Sequence, residues 1–179
     1  MPLAQLDDGE IYYEEFGSGF PLLLVAGLGG VGTYWNPQIE PFAKHFRVII
    51  HDHRGTGKSS KSKIEYSLEQ MARDTLGLMD ALNIEKAHLV GHSTGGAIGQ
   101  ILAVTDPDRL DKIVMASAWT KADGFFRLCF NVRRELLLKS GPAAYVMATP
   151  IFLHPSWWIR DNIDALSRPE AAVYGPDLD

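Results

Sequence analysis

Ala87-His88-Leu89-Val90-Gly91-His92-Ser93-Thr94-Gly95-Gly96-Ala97 decides the fold. An apolar run leads into G-H-S-T-G and then into small residues on a helical pattern, so the stretch reads as strand, sharp turn and helix, with Ser93 at the apex. That context turns a G-x-S-x-G match into a nucleophile elbow, whose strained turn lifts the serine oxygen above the sheet edge. Gly91 and Gly95 remove side chains where the returning helix passes the strand, and Ser93 is expected in an unfavourable backbone conformation. A helix that begins just behind Ser93 turns free N–H groups and its positive dipole end toward any oxyanion formed there. The five-residue motif by itself fits a plain serine in a glycine-rich turn equally well.

Upstream, residues 3–6 and 11–16 flank Asp8-Gly9, a dipeptide suited to a two-residue hairpin turn. The unbroken apolar run at 21–26 has the pattern of a strand covered on both faces in a parallel sheet. It delivers the chain into Gly27-Leu28-Gly29-Gly30-Val31-Gly32, where Gly27, Gly29 and Gly32 spell G-x-G-x-x-G, with Asp52 about twenty residues on. A dinucleotide fingerprint needs its helix to start inside the glycine run, whereas Pro37 falls where that helix needs an N–H. Asn36 as N-cap with Pro37 at the first helical position fits better, leaving the glycine loop free to arch over the strand ends. No cofactor is expected.

The strand at 46–50 feeds His51-Asp52-His53-Arg54-Gly55-Thr56-Gly57-Lys58-Ser59. Gly57-Lys58-Ser59 imitates the end of a P-loop, but that motif requires its first glycine where Asp52 stands. A turn with Asp52 and Arg54 in local hydrogen bonds is expected instead. His51 and His53 have no third donor at a fixed spacing, so they read as loop histidines and no metal site is expected. Ser67-Leu68-Glu69-Gln70 is a capping box opening a helix to Asn83. A small-residue helix at 94–104, a stop at Asp106-Pro107-Asp108 and a buried strand at 113–116 follow. Alternating strands and helices imply a parallel sheet covered on both faces, with functional groups at the carboxyl ends of its strands.

From Trp119 the character changes. Phe125, Phe126, Cys129, Phe130, Val132 and Leu136 to Leu138 suit one helix, Gly141-Pro142 breaks it, and shorter helical pieces fill 144–147 and 157–166. We therefore divide the chain into a core, 1–120, and an aromatic-rich helical cap with its tail, 121–179; a cap over the strand ends would shape a pocket and exclude water. More helical core is the alternative.

With 46% hydrophobic and 22% charged residues over 179, the composition is that of an ordinary globular domain. The net charge of -5 supplies no basic field for nucleic acid or an anionic membrane, which favours a small-molecule partner. One cysteine, Cys129, excludes an intrachain disulfide framework and fits a reducing cytoplasm. The first residues show no secretory pattern, and no apolar run approaches membrane-spanning length.

Taken together, these stretches resemble the α/β-hydrolases, and among them the aminoacrylate or carbamate hydrolases of pyrimidine nitrogen breakdown. The narrower likeness rests on Gly27-Leu28-Gly29-Gly30 with Tyr34-Trp35 and Pro37-Gln38, on Asp52 with Arg54-Gly55-Thr56-Gly57, on Tyr66-Ser67 with Gln70-Met71-Ala72, and on Gly91-His92. In the cap, Cys129-Phe130, Val132-Arg133, Leu136-Leu137, Ser140-Gly141, Phe152-Leu153 and Trp157 are similar too. The resemblance implies that Ser93 attacks a carbonyl while the amides of Leu28 and Thr94 hold the oxyanion. Some members lack a serine at the elbow, so Ser93 is judged on its own surroundings.

The base is less legible. In this fold the acid and then the histidine follow the nucleophile, yet after Ser93 the only histidine is His154, in the cap with no strand before it. Asp123 is a possible acid or an ordinary aspartate at the start of the cap. His92 is expected to line the pocket or serve structure, with Trp119 beside the substrate. Arg127, Arg133 or Arg134 could pair with a substrate carboxylate or form a solvated helix face. The family pattern continues into further strands, whereas 169–179 resembles none. The expected fold is thus truncated before its last core strands. Either the chain is a fragment or truncated product, or the missing half comes from another chain, or the protein does something other than triad hydrolysis; a homodimer is a separate expectation. Three functions stay open: a hydrolase of small amides, carbamates or enamine acids; a carboxylesterase or enol-lactonase; and a catalytically silent binding module.

Overall fold

The unbroken apolar run after Gly19 becomes a strand covered on both faces. In the computed structural model, which describes residues 2–166, the chain forms two compact units, Met1–Thr120 and Lys121–Asp179. The first unit is built on a six-stranded sheet: β1 (Leu3–Leu6), β2 (Gly9–Phe16), β3 (Pro21–Val25), β4 (Arg47–His51), β5 (Ala87–His92) and β6 (Leu110–Ala116). Their spatial order is β1-β2-β4-β3-β5-β6. β2 pairs antiparallel with β1 and β4, and the remaining pairs are parallel.

Three helices cover the two faces: α1 (Asn36–Ala43), α2 (Leu68–Ala81) and α3 (Thr94–Thr105). Successive strand residues point to opposite faces, so the apolar runs serve two cores at once. Leu23, Val25, Ile49 and Leu89 pack with Leu78 and Met79 of α2 and with Ile98 and Leu102 of α3. Leu22, Leu24, Val48 and Ile50 meet Trp35 and, from α1, Ile39 and Phe42. Each fully buried aliphatic side chain contributes about 1.5–3 kcal/mol, so this two-sided burial carries most of the unit's stability. The β3–β5 register sets Val25 opposite Gly91. It therefore brings the loops that leave these two strands side by side.

Several local expectations shift. The hairpin turn falls on Asp7-Asp8, because Gly9 already pairs with Leu6, and neither aspartate takes a positive φ. A 3₁₀ turn at Gly32–Trp35 runs straight into α1, so Trp35 is the N-cap and Asn36 lies inside the helix. Ser67 does cap α2 by accepting from the Gln70 N–H at 3.1 Å, but the Gln70 amide donates onward to Asp74 instead of closing the capping box. Asn83, at φ 53, ends the helix in the left-handed conformation.

The second unit holds α4 (Gly124–Leu153), α5 (Ser156–Asp161) and α6 (Ile163–Leu166). α4 has the length and apolar composition of a membrane-crossing helix, with a mean hydropathy of 1.3 in its most apolar window, contrary to the expectation from sequence. Gly141, at φ 84 and ψ 176, breaks it into residues 124–140 and 142–153. Each piece is shorter than the roughly 20 residues a crossing requires.

Candidate active site

The turn between β5 and α3 is tight because atoms are missing from it. A Cβ on Gly91 would lie 2.3 Å from the carbonyl carbon and oxygen of Gly95, and one on Gly95 would lie 2.1 Å from the carbonyl oxygen of Val25. Helix and strand thus approach to backbone contact, and Ser93 between them takes φ 53 and ψ -115, which a residue with a Cβ rarely adopts. The conformation is held from both sides. Ser93 N–H donates to Ala116 O at the end of β6 (2.9 Å), while Ser93 O accepts from Gly96 N–H (3.0 Å) and Ala97 N–H (3.2 Å). Thr94, buried, opens α3.

Beside this elbow lies the glycine loop. Gly27 to Gly30 form a turn closed by Gly30 N–H to Gly27 O (3.0 Å), with Gly29 at φ 67 and Leu28 exposed at its crest. A Cβ on Gly27 would stand 3.3 Å from both Ser93 Cβ and His92 Nδ1, so the loop backbone passes against the elbow. Neither the Leu28 N–H nor the Thr94 N–H has an acceptor in the hydrogen bonds of the described residues.

The His51–Ser59 stretch clamps that loop. Asp52 Oδ1 accepts from Gly32 N–H (2.8 Å) and its Oδ2 from Lys58 N–H (2.9 Å). Gly30 O accepts from His53 N–H (3.2 Å) and from the Thr56 hydroxyl (3.0 Å). His53 Nε2 lies 2.9 Å from Ala26 O, which can only accept, so this nitrogen carries the proton. His51 and His53 are buried side chains, each about 3% exposed, and His51 ends β4 where a loop histidine is expected from sequence. Their rings meet edge to face at 5.2 Å. Burial, followed by repulsion from His53, pushes the His51 pKa down to about 3. Burial also lowers that of His53, against the opposing pull of Ala26 O, Asp74 and Asp52. Both are neutral near pH 7, and the described residues contain no cluster able to hold a metal ion.

Arg54 reaches further than a local turn. Its Nε and Nη2 donate to both oxygens of Asp74 on α2 (2.9 and 2.6 Å), and Nη2 and Nη1 donate to Asp8 Oδ1 and Asp8 O in the hairpin turn (2.7 and 2.9 Å). The guanidinium is almost fully buried, and its pKa is raised chiefly by the bond to Asp74. This tie and the hold of His53 on Ala26 O escape sequence reading, although His51-Asp52-His53-Arg54 at a strand end is the signal that marks them.

The remaining candidates divide between the two units. His92 stacks on Tyr34 with ring centroids 5.0 Å apart; its Nδ1 is buried and without a partner among the described residues, and burial lowers its pKa. The half-buried Trp119 accepts at its carbonyl from Gln100 Nε2 (2.9 Å). In the second unit, Asp123 caps α4 by accepting from Phe126 N–H (2.8 Å). The exposed Arg127 donates to Ala122 O (3.0 Å), Arg134 is exposed, and Arg133 is buried. His154 stacks on Trp158. No hydrogen bond of the described residues involves Ser93 Oγ.

Residues 21–135 match the family model described as alpha/beta hydrolase fold. The chain is 47% identical over 173 residues to a protein of Azorhizobium caulinodans named as the carbamate hydrolase RutD, and 45% identical over 150 residues to a protein of a Caulobacter species with the same name. These alignments cover 97% and 83% of this chain but 65% and 56% of the relatives, so the chain spans less than two thirds of their length. Among solved structures it is similar to the enol-lactonase from Burkholderia xenovorans (TM-score 0.81, 28% identity) and to Est816, described as an N-acyl homoserine lactone degrading enzyme (TM-score 0.79, 28% identity). Each comparison covers 93% of this chain, with 65% and 62% of the respective structures.

Proposed function

Because the chain belongs to the alpha/beta hydrolase fold family, we propose that it serves the hydrolysis of a small amide, carbamate or enamine acid with Ser93 as nucleophile. The observation that carries this reading is the backbone of Ser93, held at φ 53 and ψ -115 between β5 and α3 beside two unused amides. A turn this strained persists only when the surrounding structure over-determines it, and here it presents a hydroxyl at the carboxyl end of a central strand.

In the proposed reaction Ser93 Oγ attacks the carbonyl carbon. The N–H groups of Leu28 and Thr94 receive the developing oxyanion, the nitrogen leaves with a proton, and water releases the acyl group. His92 and Trp119 line the substrate's approach. The clamp from Asp52 and His53 fixes the Leu28 amide before substrate arrives, which matters because preorganised donors cost no reorganisation during reaction. A base must take the Ser93 proton. Since the described residues bring no imidazole into hydrogen-bond contact with Ser93 Oγ, none of them is assigned that role. The names of the curated relatives support carbamate chemistry, and nitrogen salvage from pyrimidines in the cytoplasm is the setting we propose for it.

The enol-lactonase and lactone-degrading neighbours favour a second reading, ester or lactone hydrolysis through the same elbow. Labelling of the full chain with a fluorophosphonate, beside Ser93→Ala, tests the shared part. Label on the parent and none on the alanine variant is expected; a folded parent that takes no label refutes a Ser93 activated within this chain. Ammonia release from carbamates, set against cleavage of a simple lactone, then separates the two substrate classes.

A further inference from the structure

Two arginines are buried among the described residues, and they live differently. Arg54 is met by the carboxylates of Asp74 and Asp8. Arg133, on the first segment of α4 and only 7% exposed, makes no ion pair among the described residues. One of its N–H groups donates to the Tyr145 hydroxyl (Nη2, 2.6 Å), while Nε is buried without an acceptor among the described residues. Its guanidinium faces three rings: Tyr145 at 4.9 Å, Phe130 at 5.3 Å and Phe152 at 5.9 Å. Ring faces attract a cation but accept no conventional N–H bond, so among the described residues the charge has no carboxylate partner and Nε no acceptor.

We propose that Arg133 and Tyr145 form a binding site for a small monocarboxylate with a flat or apolar body. The guanidinium offers a planar donor edge matched to two carboxylate oxygens, and the rings of Phe130, Tyr145 and Phe152 cover the ligand's carbon skeleton. One guanidinium carries a single positive charge, which matches a monocarboxylate and leaves a phosphate dianion half-neutralised, and the near-complete burial selects a small ligand. All four residues belong to the helical unit.

A purely structural use of the same residues is a pin across the Gly141 break, because Arg133 precedes the break and Tyr145 and Phe152 follow it. Calorimetric titration of the full chain at constant ionic strength separates the two, with propionate as probe and propionamide as its neutral counterpart. Saturable propionate binding is expected, with none for propionamide, at least tenfold weakening in Arg133→Met and partial weakening in Tyr145→Phe. Methionine suits the ring-lined slot, so Arg133→Met is expected to melt no lower than the parent when no carboxylate is present. Absence of propionate binding, or equal binding by parent and Arg133→Met, overturns the site. If Arg133→Met does not fold, Tyr145→Phe decides: weakened binding supports the site and unchanged binding overturns it. The readout involves no hydrolysis, so its failure is distinct from a failure of the serine reading.

Discussion

Replacing Asp52 by asparagine tests whether the glycine loop is held as the geometry requires. The carboxylate is 5% exposed and spends one oxygen on Gly32 N–H and the other on Lys58 N–H, at 2.8 and 2.9 Å. Each such charged bond contributes about 1.5–3 kcal/mol, and a buried donor left unsatisfied costs about 1–3 kcal/mol. Asparagine has the same shape but a single acceptor oxygen, so one backbone N–H must face an NH₂ group. Relaxation is blocked on one side, since the Gly57 backbone passes so near that a Cβ there would lie 2.1 Å from Asp52 Oδ2. Losing one bond and orphaning its donor predicts a destabilisation of about 2–4 kcal/mol. Urea unfolding of Asp52→Asn beside the parent gives that number. Amide hydrogen exchange locates it: protection at Gly32 or at Lys58 should fall about 100-fold, taking 1.4 kcal/mol as tenfold. A variant within about 0.5 kcal/mol of the parent, with both amides still protected, would refute the clamp.

Three further outcomes are expected. Ser93→Gly should gain about 1 kcal/mol by relieving a positive φ while abolishing fluorophosphonate labelling, and Ser117→Gly, at φ 51, should gain similarly and keep the label; thermal melts beside the labelling reaction check both. Asp74→Ala leaves the buried Arg54 with Asp8 as its one carboxylate among the described residues and should cost about 3–5 kcal/mol, whereas the paired change Arg54→Met with Asp74→Leu should stay within about 1 kcal/mol of the parent in urea unfolding. For His51, the unfolded chain binds a proton near pH 6.5 while the folded state refuses it down to about pH 3. The stability this neutral histidine preserves is therefore complete above that upper value and declines as pH falls, by about 1.4 kcal/mol per pH unit. The buried His53 adds in the same direction, and His51→Phe should flatten the slope of urea midpoints between about pH 6.5 and 4.5.

The architecture was legible because its signals are local and repeated. The apolar run at 21–25 and the small-residue elbow at 87–97 each exclude most alternatives by themselves, and the structure places both in the middle of the parallel part of a mixed sheet. Boundaries were less legible, since Asn36 and Trp35 compete for one cap and the outcome depends on the 3₁₀ turn that precedes them. What the sequence hides is contact between distant segments. His53 looks like a loop residue until Ala26 O is seen beside it, and Arg54 looks local until Asp74 arrives from α2. Arg133 was one of three equivalent arginines by spacing, and only the fold of α4 at Gly141 singles it out by burial.

Ser93 and Ser117 hold left-handed backbones at the carboxyl ends of neighbouring strands, with Ser93 N–H fastened to the residue just before Ser117. Conformational energy is thus concentrated along one rim of the sheet, and under selection that rim is the easiest place to gain stability. A library of this chain sorted for heat resistance alone would enrich glycine at both serines, and would converge on robust proteins that had lost the proposed nucleophile. Any stabilisation campaign therefore needs a screen for the hydroxyl at position 93 alongside the melting temperature.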